Sequence, residues 1–141
     1  MISGLFDPAT EFGARVALRL RDEPVIWLTT VGIDGTPHPN PVWFYWDGEE
    51  FLIYCQPTAH KLAHIQRRSR VSLHFEGAHE LGGEVVVFNG MARIEPDTPR
   101  PNADFIAKYI RAIAGFGSTP EKYAEEYSVT VWVTPVKLRG F

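Results

Sequence analysis

Two stretches of this sequence bring together residue types that could do chemistry. The first is TAHKLAHIQRRSR, residues 58–70, which holds Lys61, Arg67, Arg68 and Arg70 and no acidic residue. That run is basic in a chain whose formal net charge is −3. With Thr58 as N-cap of a helix, Lys61 falls in the first turn, where unpaired backbone N–H groups already favour a phosphate or carboxylate. His60 adds a donor beside it. The competing reading is a solvated helix face whose basic residues gather near the C-terminal end, where the dipole also favours them.

The second stretch is Asn40-Pro41-Val42-Trp43-Phe44, together with Tyr54-Cys55-Gln56 at the end of the next strand. A flat heterocycle needs apolar walls and a few main-chain donors and acceptors. Pro37, Pro39 and Pro41 cannot donate ladder hydrogen bonds, so a strand built from them lies at a sheet edge or beside a ligand. The competing reading makes Trp43 and Tyr54 ordinary core or interface aromatics.

Other constellations are weaker. His60 and His64 have the i, i+4 spacing of H-E-x-x-H, but position 61 is lysine and no cysteine lies near, so no metal site is expected. Cys55 has no base nearby in sequence and reads as a small buried hydrophobe. No G-x-S-x-G, G-x-x-x-x-G-K-[ST] or G-x-G-x-x-G is present, and no catalytic residue is assigned.

The elements that must position these residues are legible from period and punctuation. Residues 7–21 predict a helix, with Asp7 as cap, Pro8 in the first turn and Phe12, Val16 and Leu20 on one face. Strands are expected over 25–31, 39–46 and 50–56, joined by Asp34-Gly35 and Asp47-Gly48 hairpins. A short helix over 58–67 precedes strands at 71–75 and 84–94, with a loop over 77–83 and Gly90 as a bulge or close-approach site. The proline-rich stretch 95–102 shows no period. Asn102 caps a helix over 103–114 that Gly115 ends, and Ser118-Thr119-Pro120-Glu121 starts another through Glu126. The last strand, 128–134, alternates Val129, Val131 and Val133 against Thr130, Trp132 and Thr134. The total is about six antiparallel strands and four short helices, a small barrel with helices outside.

The 141 residues make one domain, with 45% hydrophobic residues to fill a core and about two-thirds of the unfolded surface available for burial. One cysteine excludes an intramolecular disulfide and favours a reducing, cytoplasmic setting. An acidic balance, pI ≈ 5.9, argues against nucleic acid as partner. The first residues carry no leader pattern, and no run is long and apolar enough to span a membrane, so no membrane association is expected.

Taken in order, TTVGIDGTPHPNPVWFYWDGEEFLIYCQPTAHKLAHIQRRSRVSLHF, then EVVVFNGMARI, then VTPVKLRGF resembles the pyridoxamine 5′-phosphate oxidase-like split β-barrel superfamily. The Pro-Val-Trp-Phe after a hairpin is most similar to the actinobacterial branch that uses the deazaflavin coenzyme F420. The resemblance implies a mainly β fold over residues 1–141, a six-stranded antiparallel split β-barrel of the FMN-binding type with short outer helices. It implies a homodimer with cofactor sites at the subunit interface. The cofactor-binding set it implies is Asn40, Pro41, Val42, Trp43, Tyr54, Cys55, Gln56, Thr58, His60 and Lys61, with Lys61 on the phosphate. FMN-using relatives tend to show Ser-Arg-Lys where this chain has Ala59-His60-Lys61. The acidic tail of F420 gives Arg67, Arg68 and Arg70 a use beyond the phosphate. The implied activity is an F420H2-dependent reductase, with hydride passing from the deazaflavin C5 to an activated double bond of a small organic substrate. The alternatives are an FMN-binding oxidoreductase of the same fold, and a non-catalytic carrier of F420 or a tetrapyrrole. The segment 103–127 could supply the acceptor wall through Phe105, Tyr109, Phe116 and Tyr123, or could simply pack on the barrel.

Overall fold

A strand that leaves one edge of a sheet and rejoins the other edge two residues later forces the sheet to curl. That is what happens at Trp43 and Phe44. The computed structural model describes residues 4–77, 84–96 and 101–141, and in chain order they form helix α1 (Glu11–Asp22), strands β1 (Ile26–Val31), β2 (Pro37–Val42), β3 (Tyr45–Trp46) and β4 (Phe51–Cys55), then helix α2 (His60–Arg67). Strands β5 (Arg70–His74) and β6 (Val86–Ile94), helices α3 (Ala103–Gly115) and α4 (Pro120–Glu126), and strand β7 (Val129–Gly140) complete it. Residues 78–83 of the expected loop and 97–100 of the proline-rich stretch lie outside the described residues.

The strands make one antiparallel sheet in the order β2-β1-β5-β6-β7-β4-β3. Seven strands laid flat would separate the edges by about 29 Å. Val42 and Tyr45, on opposite edges, are three Cα steps apart, a reach of at most about 11 Å. The sheet therefore curls into a half-barrel. The count corrects the expected six, because the stretch read as one strand over 39–46 is two. The break has a cause: the Phe44 N–H donates to Tyr109 Oη at 2.9 Å, and its carbonyl accepts from Lys108 Nζ at 2.9 Å. Helix α3 thus satisfies the backbone groups that a continuous ladder would have used.

Both Asp-Gly turns form, with Gly35 at φ +86° and Gly48 at φ +101°. Asp34 Oδ1 accepts from the Thr36 N–H and Asp47 Oδ1 from those of Glu49 and Glu50. The register of β6 against β7 shifts between Asn89 and Gly90, opposite Pro135, which has no N–H to give. A Cβ at Gly90 would lie 2.7 Å from the Thr134 carbonyl oxygen, so this is a close approach that only glycine permits. The shift lets β7 run six residues past the expected end at 134.

Strand β4 is buried along its whole length, which explains the unbroken FLIYC run. Phe51, Ile53 and Cys55 face the barrel core with Phe44, Leu28, Phe88, Val131 and Val133. Leu52 and Tyr54 face a second cluster, with Phe105, Tyr109, Ile113 and Tyr123 from the outer helices. The helix caps differ from expectation in three places. Helix α1 is capped by Thr10, whose Oγ1 accepts from the Gly13 N–H, while Asp7 closes the preceding turn. Helix α4 is capped by Thr119, not Ser118. The N-cap of α2 is Ala59 rather than Thr58, and it offers no side-chain acceptor. Asn102 caps α3 as expected, accepting from the Phe105 N–H. Among the described residues no helix is long and apolar enough to cross a membrane.

Candidate functional site

The crossover that splits β2 from β3 also builds a cavity. Pro41, Val42 and Trp43 supply one wall and Tyr54, Cys55 and Gln56, at the end of β4, supply the floor. The start of α2 contributes Ala59 and Lys61. The outer helices close the far side with Ile113, Phe116, Ser118, Tyr123, Glu126 and Tyr127. The volume is about 580 Å³, within the range of small-molecule and cofactor sites.

The structure brings Pro41, Val42, Trp43, Tyr54, Cys55, Gln56 and Lys61 to this one cavity. Asn40, Thr58 and His60 are exposed and lie outside its lining. Arg67, Arg68 and Arg70 are also exposed and outside it, and Arg68 donates to the Gly32 carbonyl at 3.1 Å. Of the four aromatics considered for an acceptor wall, Phe116 and Tyr123 line the cavity, while Phe105 and Tyr109 are packed in the second core cluster. His64 is engaged elsewhere, with Nδ1 2.8 Å from Thr30 Oγ1 and its ring 4.8 Å from that of His38. Among the described residues no three metal-ligating side chains converge.

Local packing fixes the aromatic wall. Trp43 stacks on Tyr109 with centroids 4.4 Å apart and planes 2° from parallel. Tyr123 lies 5.6 Å from Trp43 and 4.6 Å from Tyr127, both near-parallel. Tyr109 is anchored in turn: its hydroxyl proton is shared between the Pro24 carbonyl at 2.7 Å and the Phe44 carbonyl at 3.0 Å. The plane of Trp43 is therefore set by a hydrogen-bonded tyrosine rather than by apolar contact alone. Burial pushes the Tyr123 phenol well above its ordinary value, so it is a neutral ring in the wall. Burial also raises the Cys55 thiol, with Lys61 opposing, and this leaves Cys55 a poor nucleophile.

Two charged side chains, Lys61 and Glu126, are among the residues that line the cavity. Lys61 belongs to the first turn of α2, whose N-cap Ala59 has no side-chain hydrogen bond to the helix. The first-turn N–H groups therefore remain suited to an anion beside an ammonium. Glu126 ends α4, and its Oε1 accepts from Gln56 Nε2 at 3.0 Å. Apolar walls for a planar ring and a cationic helix start for a phosphate thus share one lining, which fits a flavin-type cofactor. Ala59, Ile113, Ser118, Glu126 and Tyr127 were not singled out from sequence. Tyr127 carried a usable signal, lying four residues after Tyr123 on the same helical face.

The family model for pyridoxamine 5′-phosphate oxidase matches residues 12–140, and the chain belongs to that family. No curated protein matches the sequence significantly. Among solved structures, a conserved hypothetical protein of Mycobacterium tuberculosis is similar over 100% of this chain and 89% of its own, with a TM-score of 0.73 and 21% identity. An F420 reductase is similar over 85% of this chain and 93% of its own, with a TM-score of 0.62 and 23% identity. A heme storage protein of Vibrio cholerae is similar over 94% of each chain, with a TM-score of 0.64 and 14% identity. These likenesses define the fold: a mainly β half-barrel with peripheral helices.

Proposed function

We propose that this protein is an oxidoreductase that binds coenzyme F420 in the cavity beneath Trp43 and reduces an activated double bond of a small organic substrate. The observation that carries the reading is the joint lining: a planar aromatic wall and the Lys61 ammonium at an uncapped helix start, in one cavity of about 580 Å³. The likeness to an F420 reductase supports the choice of deazaflavin. So does the Ala59-His60-Lys61 sequence, which departs from the Ser-Arg-Lys of FMN-using relatives. Arg67, the last residue of α2, and Arg70, the first of β5, are exposed and available to an acidic tail leaving the cavity.

When bound, reduced deazaflavin supplies a hydride from its C5. The chain's own part is placement. Lys61 and the α2 start hold the phosphate and so set the depth of the ring. Pro41, Val42 and Trp43 form the wall that keeps the ring in one plane. Tyr123 and Tyr127, on the outer-helix side, form the wall against which an acceptor is held at near-attack distance. No side chain is assigned as proton donor, because positioning of this kind supplies rate without one. We also read the protein as a homodimer: all but Val42 of the six residues of β2 are exposed on the free sheet edge, beside the cavity wall.

The test is a ligand panel on purified protein: F420, FMN and heme titrated in parallel and followed by fluorescence or absorbance. Micromolar F420 binding that is tighter than FMN binding supports the reading. Tight FMN binding with none of F420 transfers the site to a flavin oxidoreductase of the same family. Tight heme binding alone makes the protein a carrier.

A further inference from the structure

His64 lies outside the cavity lining, yet it sits one turn after Lys61 on α2, at i, i+3, so the two are neighbours on the helix surface. Its ring reaches the sheet. Nδ1 lies 2.8 Å from Oγ1 of Thr30, a fully buried residue of β1, and the ring lies 4.8 Å from that of His38 on β2. Thr30 and His38 are directly opposed across the two strands, so one face of the β1-β2 hairpin presents both to α2. Gly32 makes the room: a Cβ there would come within 2.9 Å of His38 Nε2. Arg68 ties the far end of the helix to the same hairpin through the Gly32 carbonyl, at 3.1 Å. At its near end the N-cap Ala59 makes no side-chain hydrogen bond.

The His64 contact is sensitive to one proton. The buried Thr30 hydroxyl proton is satisfied when Nδ1 accepts it; a proton on Nδ1 reverses that bond and takes the acceptor away. A charged His64 also faces His38 on β2, and His60 and Arg67 on its own helix, while Arg68 adds positive charge at the β1-β2 turn. Asp34, in that turn, opposes them. Partial burial first, then His38, His60 and Arg67, hold His64 below the ordinary histidine value of 6.5. An opened helix takes up the proton at that ordinary value, so opening becomes more favourable as pH falls through 6.5.

We propose that His64, with Thr30 and His38, is a positioning residue for Lys61: a clasp that seats α2 on the β1-β2 hairpin at neutral pH and releases it in acid. Strand β2 also carries Pro41 and Val42 of the cavity wall, so the clasp joins the Lys61 side of the cavity to that wall. The proposal rests on the cofactor reading only in taking Lys61 as the group that holds the anion. Its sign differs from that of plain charge. Positive charge gained by histidines near Lys61 tightens an anion, whereas a released clasp loosens it.

Two readouts need no ligand. The carbon-bound ring protons of His64 are titrated by NMR in wild type and in His38→Gln, an exposed position. Amide hydrogen exchange over residues 60–67, corrected for the intrinsic rate, is compared at about pH 7.5 and about pH 5.5 in wild type and His64→Gln. Glutamine keeps an acceptor for Thr30 and does not titrate. His64 is expected to titrate below 6.5 in wild type and closer to it in His38→Gln. Protection of α2 is expected to fall in acid by about fivefold or more in wild type and by less than about twofold in His64→Gln. F420 is then titrated by calorimetry at both pH values. Its affinity is expected to fall in acid about threefold more in wild type than in His64→Gln, a ratio in which the ligand's own ionisation cancels. A His64 midpoint at or above 6.5, an equal loss of protection in the two proteins, or an equal acid response of F420 affinity overturns the proposal. If F420 fails to bind while α2 exchange follows His64, the clasp stands and the cofactor reading falls. If F420 binds and α2 exchange ignores His64, the clasp falls and the cofactor reading stands.

Discussion

Tyr109→Phe isolates the hydroxyl that splits the strand. The ring stays, so the stacking of Trp43 and the filling of the second core cluster are kept. What is lost is the acceptor for the Phe44 N–H, 2.9 Å away, and the donor to the Pro24 and Phe44 carbonyls. These losses are unequal. The Pro24 carbonyl belongs to an exposed residue and can turn to water, while the Phe44 carbonyl keeps Lys108 Nζ at 2.9 Å. The Phe44 N–H has no substitute, because Phe44 is fully buried. An orphaned buried donor costs about 1–3 kcal/mol. For a domain of this size that corresponds to a fall in melting temperature of roughly 4–12 °C. Urea unfolding at pH 7, followed by tryptophan fluorescence and by far-ultraviolet dichroism, gives the free energy. The loss should come with an unchanged m-value, since the native fold is intact. A loss below about 0.5 kcal/mol would refute the reasoning. It would mean that the strand breaks at Phe44 for some reason other than capture of its backbone by α3.

Three further outcomes follow from buried groups. Thr130 is 1% exposed and its Oγ1 has no hydrogen-bond partner among the described residues, so Thr130→Val should stabilise the fold by about 1 kcal/mol in the same urea assay. Lys108 has its pKa lowered by burial from 10.5 to about 8, so from pH 8 to 10 the unfolded chain holds the extra proton and stability should rise with pH. Above pH 10 the slope should reverse, because burial raises the Tyr109 and Tyr123 phenols and the unfolded chain ionises first; Lys108→Met should abolish the rise and keep the fall, as melting curves across pH 7–11 will show. Cys55 is buried with a raised thiol pKa, so a thiol-specific reagent at pH 8 should label the native protein far more slowly than the unfolded one, and an occupied cavity should slow labelling further.

Much of this was legible in the sequence, for physical reasons that differ by element. The Asp-Gly turns, the FLIYC strand and the Asn102 cap announce themselves because their cause is local: a glycine with positive φ, a two-sided burial, a side-chain acceptor three residues before its donor. The split between β2 and β3 is not local. PVWFYW reads as one strand, and what breaks it is Lys108 and Tyr109, more than sixty residues away. The same distance hid half of the cavity. Trp43, Tyr54 and Lys61 stood out by type and position, but Glu126 looked like any surface glutamate on a short helix until the fold set it against Gln56. The basic run shows the converse error: Lys61 reaches the cavity, while Arg67, Arg68 and Arg70 on the same run face outward. A charge sum cannot tell an inward lysine from an outward arginine; the helical phase and the floor beneath it decide.

The most direct test of the central claim is one comparison: F420 titrated by fluorescence into wild type and into Lys61→Ala under identical low-salt conditions. Lys61 is half-buried in the cavity wall and its removal opens no core void, so the variant should fold as wild type does. The account predicts micromolar binding to wild type and a loss of at least tenfold in Lys61→Ala, the size of a charge-assisted phosphate contact. Equal affinity in the two proteins would contradict it, because the anion would then be held somewhere other than the start of α2.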